Sequence, residues 1–339
     1  MEYRLLGRTG VKVSPLCLGT MMFGAWGNKD HDDSIRIIHR ALDGGINFVD
    51  TADVYAEGES EEIVGQALVG RRQHVVLATK AHAGMGDDIN QRGNSRRWIM
   101  SEVESSLKRL KTDWIDLYQM HRFDVNTDLD ETLRALDDLV RQGKIRYAGS
   151  STFPAAEIVE AQWCSRERNL ARFVTEQPPY SMLSRGIEND VLPVCKRHSM
   201  GVLTWSPLAG GLLTGKWRKG ETPTDSHRAV RTPQRFDMSR PENQRRLDAV
   251  DALAKLADEA GMSLVHMAIA FVLWHPAVTA AIIGPRTMEQ LESQLGALDI
   301  TLDIGLLDQI DAIVPPGSMT VSSDAGWQNP ALKVEARRR

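Results

Sequence analysis

Apolar runs rich in Val, Ile and Leu alternate with longer amphipathic segments along almost the whole chain, and eight such pairs can be counted. A strand, a crossover helix and the next parallel strand produce this rhythm. Repeated eight times, it predicts an α/β protein of the (β/α)8 TIM-barrel class. Strands are expected at Pro15 to Leu18, Ile46 to Val49, Val75 to Thr79, Trp114 to Tyr118, Ile145 to Gly149, Phe173 to Thr175, Gly201 to Thr204 and Ala280 to Ile283. Helices are expected at Asp32 to Asp43, Ser60 to Val69, Arg96 to Leu110, Leu129 to Arg141, Ala155 to Asn169 and Val191 to His198. Glu242 to Ala260, Leu264 to Trp274 and Thr287 to Ala297 follow. Ser60, with Glu61 and Glu62 in the first turn, reads as a helix cap. Ahead of the first unit, Tyr3 to Leu6 and Val11 to Val13 flank Gly7 and Gly10, a hairpin placed to cap the barrel's bottom.

The chain has 339 residues, 42% of them hydrophobic, enough to bury a large core. No Pro-, Gly- and Ser-rich linker divides it, so one barrel domain is expected over 1–339: hairpin 3–13, barrel about 15–313, C-terminal tail about 314–339. The long irregular stretch Ala209 to Met238 is best placed as a loop over the rim.

The formal charge is −4 and the basic residues are dispersed except at Arg337 to Arg339, read as a frayed tail, so nucleic acid is not an expected partner. Cys17, Cys164 and Cys195 form no C-x-x-C pair and suit a reducing compartment as small buried hydrophobes. The longest apolar run, Leu264 to Trp274, is too short to span a membrane and contains His266. A cytoplasmic protein without a membrane partner is the expectation. The histidines lack ligand spacing, so no metal is expected. Gly84 and Gly86 begin a dinucleotide fingerprint that fails at Ile89, which excludes a Rossmann domain as the best reading. Gly210, Gly215 and Lys216 imitate a phosphate loop, but Trp217 stands where Ser or Thr would hold magnesium.

Polar side chains follow the apolar runs: Asp50 and Tyr55 after Ile46 to Val49, Lys80 after Val75 to Thr79, His121 after Ile115 to Met120. In a parallel barrel the carboxyl ends of the strands converge on one rim, where catalysis is sited. A tyrosine titrates near pH ~10, so acid catalysis at neutral pH gains from a cation that stabilises developing phenolate charge. Lys80 supplies one. The same lysine would alternatively serve a Schiff-base lyase. Phe23, Trp26, His82, Met85 and Phe123 lie in loops of the same rim and are candidates for a substrate wall or for core.

Asp50, Thr51, Ala52, Asp53, Val54 and Tyr55, with Gly58 and Ser60, then Thr79 with Lys80 and Gln119 to Asp124, resemble the aldo-keto reductase signature. The resemblance runs from Arg4 to about Ile313. Through Thr204 to Lys216 and Ile282 to Leu298 the chain is most similar to the branch holding bacterial reductases and potassium-channel β subunits. It implies an NADPH-dependent reduction of a small-molecule aldehyde or ketone. Tyr55 would be the general acid, Lys80 its activator, Asp50 the partner of Lys80, and His121 the group orienting the carbonyl. It also implies Gly19, Thr20 and Met21 under the cofactor, with Asp50 beside it, Ser151 and Gln177 on the carboxamide, and Trp205 on the nicotinamide face. Ser206, Leu208, Gly210 and Lys216 would form a pyrophosphate strap, and Gly284, Arg286, Gln290 and Gln294 the adenosine site. Arginine matches a 2′-phosphate bidentately, which favours NADPH over NADH. Thr152 and Gln294 depart from the family, where Asn is usual. The channel subunits supply the alternative, a slow-turnover cofactor-binding regulatory or redox-sensing subunit, but carry Asn where this chain has His121. Nothing in the pattern speaks to oligomeric state.

Overall fold

The structure, a computed structural model, describes residues 1–218, 227–332 and 336. Strands β1 (Arg4–Leu5) and β2 (Lys12–Val13) pair antiparallel as the expected hairpin. Eight more follow: β3 (Leu16–Gly19), β4 (Phe48–Asp50), β5 (Val76–Ala81), β6 (Ile115–Met120), β7 (Ile145–Ser151), β8 (Phe173–Gln177), β9 (Gly201–Thr204) and β10 (Ala280–Ile283). All pair parallel and close into a barrel in the order β10-β3-β4-β5-β6-β7-β8-β9. The fold is a (β/α)8 barrel.

Helices α1 (His31–Asp43), α2 (Glu59–Ala67), α3 (Arg96–Arg109), α4 (Leu129–Arg141), α5 (Ala155–Arg168) and α6 (Val191–Arg197) follow successive strands. After β9 come α7 (His227–Arg231), α8 (Pro241–Glu259) and α9 (Leu264–Trp274), and after β10 come α10 (Met288–Leu295) and α11 (Ile304–Ile313). Local chemistry starts several of them: Asp30 caps α1 by accepting from the Asp33 amide, and Asp128 caps α4 by accepting from Asp130. Ser60 is a correction. The cap of α2 is Gly58, in a left-handed conformation, and the Ser60 hydroxyl is buried against Thr20 and Thr51 instead.

The barrel interior holds Cys17, Phe48, Ala78, Leu117, Leu203, Ala280 and Ile282, and the hairpin adds Leu6 and Val13 from below. Gly7 lets the hairpin come that close. It takes φ +54, and a Cβ there would stand 2.7 Å from both the Gly201 nitrogen and the Val174 oxygen. Helix α9, the longest apolar run, packs into a second core with α8, Tyr180 and Trp217. Among the described residues no single helix is long and apolar enough to cross a membrane. The tail Arg337 to Arg339 lies outside the described residues.

Several strands run one or two residues past the expected ends. β4 includes Asp50, β5 includes Lys80 and Ala81, β6 includes Gln119 and Met120, and β7 and β8 end on Ser151 and Gln177. The polar residues that look like loop openings are the last rungs of the barrel.

Candidate active site

Side chains two apart on a strand share a face. Phe48, Ala78 and Leu117 lie inside the barrel, and two residues further on the same strands carry Asp50, Lys80 and Gln119. Register sets Lys80 level with Gln119 and Gly149, and Ser151 with Gln177, while Asp50 pairs with Ala78 one inward rung lower, beneath the Lys80 ammonium. Gly149 leaves the space Gln119 needs, since a Cβ there would meet the Gln119 Cγ at 3.0 Å. An apolar layer is thus roofed by a polar one at the carboxyl mouth.

The polar layer is a closed network. The Lys80 ammonium donates to Asp50 Oδ2 at 2.6 Å, to the Thr51 carbonyl at 2.8 Å and to the Tyr55 hydroxyl at 3.2 Å. Asp50 Oδ1 accepts from the Gln119 amide at 3.2 Å and the Gln177 amide at 2.8 Å. Lys80 has no solvent exposure. Burial pulls its pKa down, but Asp50 and Tyr55 outweigh that and the net direction is upward. The pair with Asp50 thus favours the protonated amine, whereas a Schiff-base lyase needs the free amine.

Tyr55 opens a turn, Tyr55–Gly58, directly after β4. Ala56 and Glu57 take positive φ there, and Gly58 at φ +99 packs against Arg109, whose Cδ would stand 2.8 Å from a Cβ. Arg109 is in turn held by the buried carboxylates of Glu61, at 2.6 Å, and Glu102. Asp53 is buried in the same loop. Its Oδ1 accepts from the Val54 amide, Oδ2 has no partner, and burial with Glu61 and Glu102 nearby pushes its pKa well up.

His121 follows β6 and its backbone donates to Ala81. Its ring meets Tyr55 edge to face with centroids 5.8 Å apart. Burial, then Lys80, Arg122 and His82, hold its pKa well below the ordinary range, so the imidazole is neutral. Trp26 stands on the other side of Tyr55 at 6.2 Å. Met85 and His82 are half-buried on the loop after β5, where His82 Nδ1 contacts Asn94. Phe23 is not a wall residue, being fully buried, while Phe123 is half-buried and packs edge-on to Phe153 at 5.5 Å.

The residues read for a cofactor form an arc along the rim. Gly19 is a glycine for barrel closure, since a Cβ would meet Ile282 at 2.6 Å, and the Thr20 hydroxyl is spent on the Asp50 carbonyl and Ser60. Met21 is half-buried beside them. Ser151 donates to the Gln177 carbonyl at 2.9 Å. Trp205 is half-buried and donates from Nε1 to the Thr152 hydroxyl at 3.3 Å. Ser206 Oγ accepts the Gly210 amide inside the turn that carries Leu208, and exposed Lys216 follows it. Trp217 is buried and stacked on Phe236 at 4.7 Å. The loop then returns across the rim: Arg231 of α7 lies 3.8 Å over the Trp26 ring. Residues 219–226 of the long loop lie outside the described residues.

At the far end of the arc, a Cβ on Gly284 would meet nothing within 4 Å. Thr287 caps α10, Gln290 Oε1 accepts the Arg286 amide at 2.8 Å, and Arg286 has no carboxylate partner among the described residues. Gln294 is buried with Oε1 unpartnered. An open glycine and an unmatched guanidinium suit a phosphate, and the orphaned Gln294 oxygen suits a donor such as a ribose hydroxyl or an adenine amine.

A sequence profile of the aldo/keto reductase family matches residues 15–315. The chain belongs to the aldo/keto reductase family. It is 43% identical over 332 residues to an uncharacterized oxidoreductase, YrpG, of Bacillus subtilis, covering 94% of this chain and 98% of that one. It is 38% identical to the aldo-keto reductase YhdN of the same organism, over 86% of this chain and 87% of that one. A probable voltage-gated potassium channel subunit beta of Arabidopsis thaliana is 37% identical, over 93% and 97%. The chain is an oxidoreductase of a family that uses nicotinamide cofactors and small-molecule substrates.

Three groups at the site went unassigned from sequence. Gln119 stands in the signature stretch, and its inward register was the available signal. Arg122 follows His121 directly. The third is the segment after α11: Asp324 pairs with Arg235 and buried Arg246, and brings Gly326 against Thr152 and Trp205. No periodicity marks it.

Proposed function

We propose that this aldo/keto reductase reduces aldehydes or ketones to alcohols with NADPH, with Tyr55 as the proton donor. The observation that carries the reading is the Lys80 ammonium held between Asp50 and the Tyr55 hydroxyl at the barrel mouth. Bound NADPH supplies hydride from the nicotinamide ring. Ser151 and Gln177 are the candidates to hold its carboxamide, Trp205 its ring face, Ser206, Leu208, Gly210 and Lys216 its pyrophosphate, and Gly284, Arg286, Gln290 and Gln294 its adenosine portion, with Arg286 on the 2′-phosphate.

Neutral His121 donates a hydrogen bond to the carbonyl oxygen and fixes it beside Tyr55. The Tyr55 hydroxyl gives its proton to that oxygen as negative charge develops, and Lys80 stabilises the phenolate left behind. Asp50 keeps the ammonium aimed. The test follows NADPH absorbance with aromatic aldehydes, methylglyoxal and sugars, for the native protein and Tyr55→Phe. Loss of turnover with NADPH binding retained is expected; undiminished turnover in the variant overturns the assignment.

A second reading has one specific support, the 37% identity to a channel β subunit. A slow-turnover regulatory subunit would bind NADPH, turn over negligibly on the whole panel, and pull down a membrane partner.

A further inference from the structure

Beside the proton donor, Arg122 is a cation with no carboxylate counter-charge among the described residues. Lys80 is neutralised by Asp50, and Arg235 by Asp324. Arg122, between His121 and Trp205, has no carboxylate within ion-pair distance among the described residues. Its Nη1 donates to the His121 carbonyl at 2.6 Å and the Thr152 hydroxyl at 3.3 Å. Its guanidinium carbon lies 5.9 Å from the Trp205 ring centroid.

A guanidinium carries five N–H donors. The two protein bonds both use Nη1, while Nε and Nη2 have no protein partner among the described residues and are absent from the buried unpartnered atoms, so they face accessible space. The nearby acids are committed elsewhere. Asp124 accepts from the Asn94 and Asn126 amides and the Thr127 hydroxyl. Glu176, the one carboxylate that acts on Arg122 electrostatically, lies behind the Thr152 turn and accepts from Ser150 and the Phe153 amide. Tyr55 is the other group that acts on it, which places Arg122 within electrostatic reach of the proton donor. Lys80, Arg122 and His82 all act as positive charge on His121. A half-buried, unmatched guanidinium is costly unless an anion completes it.

We propose that Arg122 is a specificity residue whose free edge binds an anionic group on the substrate, so that the preferred substrates are short carbonyl compounds carrying a carboxylate or phosphate. The inference rests on the reductase reading above. The carbonyl oxygen lies at Tyr55 and His121, and the anion takes the Nε and Nη2 donors one residue away. A short spacer follows from the guanidinium bonding the His121 carbonyl at 2.6 Å and acting electrostatically with both Tyr55 and the His121 ring. The atoms react as in any carbonyl reduction, and the anion takes no part in the chemistry.

The test compares kcat/KM within matched pairs: succinic semialdehyde and carboxybenzaldehyde against their methyl esters, and a phosphorylated triose against the free triose. The acid arm and the phosphate arm distinguish the two anions. The native enzyme should favour the charged member by about 10- to 100-fold, with the advantage shrinking as salt is added. Arg122→Met should collapse that ratio towards one through KM, and Arg122→Lys should restore part of it. The proposal is overturned if the native enzyme favours the neutral members, or if Arg122→Met lowers both members equally. It is also overturned if the variant weakens NADPH binding while the ratio stands. The native ratio and its salt dependence decide the matter even if Arg122→Met does not fold. Failure of every carbonyl, neutral ones included, would instead fail the reductase reading.

Discussion

Replacing Lys80 with Met removes a cation the barrel mouth cannot otherwise supply to Asp50 and Tyr55. The ammonium's three N–H bonds go to Asp50, Thr51 and Tyr55, and the side chain has no exposure, so water is not at hand to replace them. Breaking a buried ion pair costs ~3–5 kcal/mol because the surviving charge is stranded. Asp50 is only partly stranded, since Oδ1 keeps the amides of Gln119 and Gln177, so the lower end, about 3 kcal/mol, is expected. Activity falls by a separate route: an acid that loses its activator forfeits a share of the ~10²–10⁴-fold that general acid catalysis contributes.

A double-mutant cycle separates the two effects. Asn at position 50 removes the stranded charge, so Lys80→Met/Asp50→Asn should recover most of the lost stability in urea unfolding. Its rate of NADPH oxidation should stay as low as that of Lys80→Met alone. A double variant that regained its rate along with its stability would refute the reasoning, because Lys80 would then serve only to neutralise Asp50.

Arg286→Ala should weaken NADPH by about 1.5–3 kcal/mol and leave NADH nearly unchanged, as the difference between cofactors is one phosphate; equal losses in a binding titration would remove Arg286 from that role. Arg109→Met strands the buried carboxylates of Glu61 and Glu102, so unfolding in urea should show a loss of ~3–5 kcal/mol, and a loss below about 1 kcal/mol would contradict the ion-pair account. Glu176 carries a pKa raised from 4.5 to about 7, by burial first, against Ser150, the Phe153 and Thr152 amides and Arg122, which pull it down. A raised folded value binds the proton more tightly in the native state, so this stabilisation is full below 4.5 and is lost as pH rises through about 7. Glu176→Gln should therefore gain stability relative to the native protein by ~3 kcal/mol between about pH 4 and pH 8; parallel urea midpoints across that range would exclude the shift.

The barrel was legible because eight buried strands, separated by helices with readable caps, leave few ways to close a parallel sheet. The site was legible for the same reason: Asp50, Lys80 and His121 stand where strands end, and strand ends meet. Reading failed where a residue's setting depends on distant chain. Ser60 carries the local chemistry of a cap, yet Thr20, forty residues earlier, claims its hydroxyl. Phe23 and Trp26 are aromatics of one loop, but only packing sends the first into the core and the second beside Tyr55. Asp324 meets Arg235 across a separation of 89 residues, and nothing local announces that pairing. The strand ends were shortened because a polar residue reads as a loop, whereas at a barrel mouth the inward face itself turns polar.

The loop carrying Tyr55 joins the two electrostatic systems of this end of the barrel. Ala56 and Glu57 sit in left-handed backbone, each at a cost of ~1–2 kcal/mol. Such strain persists only where the surroundings over-determine the loop. Here they do so from both sides: the Tyr55 hydroxyl is tied to Lys80 inside the barrel, and Gly58 is packed on Arg109 outside it. Arg109 in turn is gripped by two buried glutamates, so the outer support is itself held by charge rather than by apolar packing. The placement of one hydroxyl thus depends on ion pairs on either side of β4, and neither pair alone accounts for the turn.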